Sequence, residues 1–141
     1  MTHLNVAVRV RPLSDREKIL KSIPIVDVRQ NVVAVTNLKV PEHYAGDSRE
    51  RIRRFSFDYC FDANSTQQDV FNVIDNVVKD AVNKKFHSCI LAYGQSSSGK
   101  THTMMGFNDD PGLTPRLCDR IFSYLGGNGV DEEDVNNVTI R

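Results

Sequence analysis

Gly94-Gln95-Ser96-Ser97-Ser98-Gly99-Lys100-Thr101 reads GxxxxGK[ST] in full. The pattern has a physical content. Its glycines let the backbone curl so that several N–H groups point inward at phosphate oxygens. Lys100 brings a cation to the β- and γ-phosphates, and the Thr101 hydroxyl is placed to ligate Mg2+, which keeps most of its water. Average residue frequencies give such a match by chance in roughly one chain in a few hundred of this length. The context also fits. Ser88–Tyr93, SCILAY, is an unbroken, mostly apolar run, as a strand covered on both faces should be, and a helix is expected from Lys100. Strand, phosphate loop and helix in that order point to an α/β fold of the P-loop type.

Working outward, the segment before that strand reads as a long helix. Ser65 precedes it with Gln68 at the capping-box position, and Val70, Phe71, Ile74, Val77, Val78, Ala81 and Val82 fall on one face. Lys84-Lys85 suits its C-terminal dipole. After the loop, Gly106 to Pro115 should interrupt the second helix, with Thr114 capping its resumption and Pro115 at the first position. The resumed helix should bury Leu117, Ile121, Phe122 and Leu125 and stop at Gly126-Gly127-Asn128-Gly129. Asp131 to Asp134 reads as an acidic loop, and VNNVTIR as the start of a strand. Toward the N-terminus, Leu4 to Val10 is a strand ended by Arg11-Pro12, and residues 14–22 read as a polar loop. Two Val-rich runs within 25–40, separated by Arg29-Gln30-Asn31, predict a hairpin. Residues 41–54 are polar, with four arginines from Arg49 to Arg54, and suit a solvated loop or strand entrance; Phe55-Ser56-Phe57 resumes a strand.

The 141 residues suit one globular domain or a piece of a larger one. Eighteen basic and 18 acidic side chains cancel, so a generally basic nucleic-acid binder is excluded. The balance is uneven: residues 1–54 carry 11 basic and 6 acidic side chains, hence +5, and the remainder carries −5. Cys60, Cys89 and Cys118 form no CxxC pair, which suits a reducing compartment. His3, His43, His87 and His102 lack zinc-ligand spacing. No apolar run approaches the roughly 18–20 residues of a membrane helix. The expected setting is the cytosol, without membrane insertion.

Two further features narrow the P-loop classes. The opening strand ends in Arg9-Val10-Arg11-Pro12, whose guanidinium planes and ring offer flat surfaces to a base, and the loop continues into His102. Either alone is equally a charged strand end or an ordinary helix residue. Together, VAVRVRPL, FSFDYCFDANSTQQDVF, ILAYGQSSSGKTHTMMG and GLTPRLCDRIF occur in the order and spacing of one family. From Asn5 onward the chain resembles the N-terminal part of a kinesin motor domain. Myosin would show glutamate and alanine where this loop has Gln95 and Ser98.

The resemblance implies a mostly central β-sheet flanked by helices, with a small N-terminal hairpin lobe over residues 23–57. It implies that Arg9, Arg11 and Pro12 flank adenine and that His102 packs near the same base. Gly94, Gln95, Ser96, Ser97, Ser98, Gly99, Lys100 and Thr101 would cradle the phosphates of ATP, with Mg2+ on Thr101. The implied activity is a microtubule-stimulated ATPase, the implied partner tubulin, and the implied location the microtubule cytoskeleton of the cytoplasm. MMG and PGLTPRLCDRIF are reminiscent of the vesicle-transporting class. The insert 39–54 receives no role. The family's NxxSSR and DxxGxE switches do not occur in these 141 residues, so no catalytic residue is assigned. The resemblance also implies that the strands beside Ser88–Tyr93 and the microtubule-gripping helices come from the family's later half, so the chain alone is expected to leave Ser88–Tyr93 uncovered, to aggregate, and to show no microtubule-stimulated turnover or salt-resistant co-sedimentation. A nucleotide-binding module without hydrolysis is the alternative. A small metabolite kinase fits poorly, because 93 residues precede Gly94 and residues 102–140 hold just Arg116 and Arg120 as arginines.

Overall fold

A computed structural model describes residues 4–40, 51–84 and 87–127. The acidic loop and final strand expected beyond residue 128, and most of the 39–54 insert, lie outside the described residues. The chain divides into two compact units, one ending at Ser65 and one beginning at Thr66. All five strands and one short helix lie in the first unit and the other three helices in the second, among the described residues, within the expected α/β class.

In the first unit, β1 (Ala7–Arg9) is followed by a short helix, α1 (Asp15–Ile19), where a loop is expected from the polar composition. The cause is local. Ser14 accepts from the Glu17 amide, and the Glu17 carboxylate accepts from the Ser14 amide at 2.7 Å, a reciprocal capping box. Glu17 also holds Arg11 through two parallel bonds, Nη1 to Oε2 and Nη2 to Oε1, both 2.8 Å. The Arg11 guanidinium first, then the Ser14 amide and hydroxyl, hold the Glu17 carboxyl at about 2.

The hairpin forms as the valine pattern predicts. β2 (Val26–Arg29) pairs antiparallel with β3 (Val32–Thr36) across a two-residue turn, with Val28 opposite Val33. Val33, buried on β3, is part of this unit's small core. β4 (Ile52–Ser56) adds to the other edge of β3, so Arg53 and Arg54 belong to a strand. β5 (Tyr59–Phe61) then pairs in parallel with β1, Val8 opposite Cys60. The Val6 amide donates to the Asp58 carboxylate at 2.8 Å, closing the start of that pair.

In the second unit, α2 (Gln67–Lys84) packs against α4 (Leu113–Gly127). Val70, Phe71 and Val78 are buried on the predicted α2 face, and Leu113 is buried on α4. The Arg120 guanidinium lies 5.8 Å from the ring centres of both Phe71 and Tyr124 and pairs with Asp75 at 2.7 Å. Three expectations shift. The α2 box is Thr66 with Asp69, not Ser65 with Gln68; Ser65 belongs to a turn in which both its amide and its hydroxyl donate back to Asp62. α4 begins at Leu113, so Pro115 sits third in the first turn, where a missing N–H costs nothing. Phe122 is exposed, being turned about 100° from half-buried Ile121.

Ser88–Tyr93 forms no strand among the described residues, and Leu91 and Tyr93 stand exposed. The apolar composition encodes burial, but a strand also needs a neighbour to accept its backbone bonds.

α3 (Lys100–Met104) and α4 are separated by a tight loop. The Phe107 amide donates to the Asp110 carbonyl and the Asp110 amide to Phe107, while Gly106 bridges Pro111. Gly106 has φ of 69°, and a Cβ there would fall 2.3 Å from both the Asp110 carbonyl oxygen and the Gly112 nitrogen.

Two outcomes are expected. Gly106→Ala should destabilise the chain by at least ~1–3 kcal/mol, since left-handed backbone strain adds to a backbone clash; a denaturant titration that leaves the midpoint unmoved contradicts this. Glu17 has a depressed folded pKa, so its contribution is complete above its ordinary value of 4.5 and fades as pH falls toward about 2. The melting temperatures of the unaltered chain and Glu17→Gln should therefore differ at pH 7 and converge on acidification through that window.

Candidate functional site

Gly94 to His102 is one continuous stretch of the second unit. A turn forms as the Ser98 amide donates to the Gln95 carbonyl at 3.3 Å, and Ser97 takes positive φ of 61°. Gly99 follows at φ 98°, a left-handed residue immediately before α3. No β-carbon is tolerated easily at that angle, so the spacing of glycine and lysine in the motif reflects backbone geometry.

Lys100 folds back over the loop. Its Nζ donates to the Gly94 carbonyl at 2.9 Å and the Gln95 carbonyl at 2.7 Å. The ammonium is thus held against the loop's own carbonyls. Thr101 follows with an exposed side chain on the first turn of α3.

His102 lies in the same helix. Its ring faces that of Phe107 at 5.5 Å between centres, tilted by 59°. Its carbonyl accepts from the Gln67 side-chain amide at 2.6 Å. Gln67 is 1% exposed, and neither motif nor spacing in the sequence reveals its part here. An apolar stripe that begins with a glutamine is the signal that was present. Arg116 is the other polar residue that motif reasoning leaves unassigned. It donates to the Pro111 carbonyl at 2.8 Å and to Gln68, and approaches Asp110 at 3.6 Å, bracing the loop between the helices.

Arg9, Arg11 and Pro12 belong to the first unit, at and just beyond the end of β1. Arg9 donates to the Ser65 carbonyl at 3.3 Å. Arg11 is held by Glu17 and also donates to the Pro12 carbonyl at 2.9 Å. The two Glu17 bonds run in the guanidinium plane and leave its faces available for stacking.

Among the described residues, no three His, Cys, Asp or Glu side chains gather as a metal cage. No helix of the described residues is long and apolar enough to cross a membrane.

Known proteins with these features are numerous. A model of the kinesin motor domain matches residues 9–139. Mouse kinesin-like protein KIF16B is 40% identical over 133 residues, which is 89% of this chain and 10% of that protein. Human StAR-related lipid transfer protein 9 is 44% identical over 132 residues, 86% of this chain and 3% of that protein. Among solved structures, a KIF14 segment with ADP in complex with a microtubule matches with a TM-score of 0.78 at 29% identity, covering 92% of this chain and 36% of that one. The AMP-PNP two-heads-bound KIF14 dimer on a microtubule matches at 0.79, covering 93% and 35%. The chain spans a tenth or less of the length of these two sequence relatives. With the Gly94–Thr101 loop, β5 and the interrupted helix that follows the loop all within the matched residues, the chain belongs to the kinesin motor domain family.

Proposed function

We propose that this chain binds Mg·ATP through Gly94–Thr101 and forms the nucleotide-binding part of a motor that works along microtubules. The observation that carries the reading is Lys100, whose ammonium is held over the Gly94 and Gln95 carbonyls by a loop with two left-handed residues, Ser97 and Gly99. Such a loop presents a fixed cation and curled amides to phosphate and has no evident structural use of its own.

The residues fit Mg2+ as a partner of the nucleotide. The ion prefers hard oxygen donors, keeps several waters and takes few ligands from protein. An exposed threonine hydroxyl beside the lysine suits that habit. Thr101 would hold the ion, which when bound neutralises charge on the β- and γ-phosphates.

Arg9, Arg11 and Pro12 are proposed for the adenine base, with His102 near it, on the strength of the family resemblance. The Glu17 fork supports Arg11 in that part by keeping a flat face in one orientation. These residues account for binding and orientation. Placing the attacking water is work for the family's switch motifs, which these 141 residues do not contain. Microtubules are proposed as partner and location because the similar KIF14 structures are complexes with a microtubule.

The test is a titration with a fluorescent ATP analogue in the presence of Mg2+. Lys100→Ala should weaken binding about ten- to hundredfold, the effect of losing a charge-assisted phosphate contact worth ~1.5–3 kcal/mol. Equal affinity in the two proteins would remove the phosphate-cradle assignment.

A further inference from the structure

α3 has just five residues, too short to be stable by itself. It nevertheless carries Lys100 and Thr101. Its C-terminal end shows what holds it. The Met105 amide donates to the Thr101 carbonyl at 2.8 Å, and the Gly106 amide, which would reach His102 in a continuing helix, also turns to Thr101 at 3.2 Å. The break at Gly106 therefore leaves the His102 carbonyl without its intrahelical donor. Gln67 supplies one, its Nε2 lying 2.6 Å from that oxygen and 3.5 Å from the His102 ring nitrogen Nδ1.

Gln67 is itself fixed. It is the first residue of α2, set inside the Thr66–Asp69 capping box. Its side chain is the fully buried polar one among the described residues. A buried amide bonded to a carbonyl resists displacement, because separating them leaves the buried amide without water to replace the bond. His102 is one residue from Thr101 and two from Lys100, so a shift of its carbonyl moves both phosphate-binding side chains through a single helical turn.

We propose that Gln67 is a positioning residue of the phosphate loop, tying the start of α2 to the His102 carbonyl and so fixing Lys100 and Thr101 for the nucleotide. The inference rests on the nucleotide reading of Gly94–Thr101 and adds to it a residue outside the motif. A glutamine is required by the chemistry. Methionine keeps its length and shape but cannot donate, ionised glutamate cannot donate, and asparagine is one methylene short of the carbonyl.

The test compares the unaltered chain with Gln67→Met by two readouts. One is amide hydrogen exchange at Thr103 and Met105 without nucleotide. The other is the affinity for fluorescent ADP with Mg2+, at a temperature where both proteins show native circular dichroism. Both amides should exchange faster in the variant, and affinity should fall about fivefold, the size of one buried hydrogen bond. Unchanged exchange overturns the anchor. Faster exchange with unchanged affinity overturns the positioning role, since a purely structural bond would behave that way. No binding by the unaltered chain overturns the nucleotide reading itself, and is distinct from failure of this inference, in which both proteins bind equally. Should Gln67→Met not fold, Gln67→Asn carries the same two readouts with the same expected direction.

Discussion

A helix cannot run through Gly106–Pro111, and the second unit is arranged around that break. The left-handed backbone at Gly106 and the close approach of Gly112 and Asp110 force the chain to turn there. Turning ends α3 after five residues and starts α4 afresh at Leu113. Carbonyls near the end of α3 then need new donors. The Gly112 amide serves Met105, Gln67 serves His102, and Arg116 serves Pro111 inside the loop. The short helix that carries the lysine and threonine is thus held from outside, by α2 and by the residues that lead into α4.

That arrangement separates two tasks. The curl from Gly94 to Gly99 depends on backbone geometry internal to the motif, and Lys100 closes it by bonding the motif's own carbonyls. The direction in which the curl faces depends on α3, and through α3 on the helix pair. Packing of Phe71, Arg120 and Tyr124 makes that pair firm, an arginine between two rings with its charge answered by Asp75. In the first unit, Glu17 performs a similar double duty. One carboxylate caps α1 and fixes Arg11, so the short helix and the arginine beyond β1 share one support.

Much of this was legible from local pattern. The hairpin followed from two valine runs and a short polar turn, and the α2 face from apolar residues at helical spacing. The loop proposed for phosphate was read from eight residues. The capping box at Ser14–Glu17 was equally visible in principle, as serine followed three residues later by glutamate, but polar composition masks so short a helix. At α2 two adjacent residues, Ser65 and Thr66, both suited the cap. The structure closes Ser65 into a turn on Asp62 through both its amide and its hydroxyl and leaves the cap to Thr66, which spacing alone does not reveal.

The sequence by itself determined which residues are proposed to meet phosphate, because glycine, lysine and threonine at that spacing act through backbone curvature and charge within a few residues. It determined the helix and hairpin periodicities for the same reason, since both are local. Tertiary structure alone decided the fate of Ser88–Tyr93, whose apolar composition asks for a strand while no described neighbour supplies the hydrogen bonds of one. It alone decided the role of Gln67, 35 residues from His102 in sequence. A buried amide finds its carbonyl through packing of α2 beside the broken helix, and no local pattern records where a second helix leaves a carbonyl unmet.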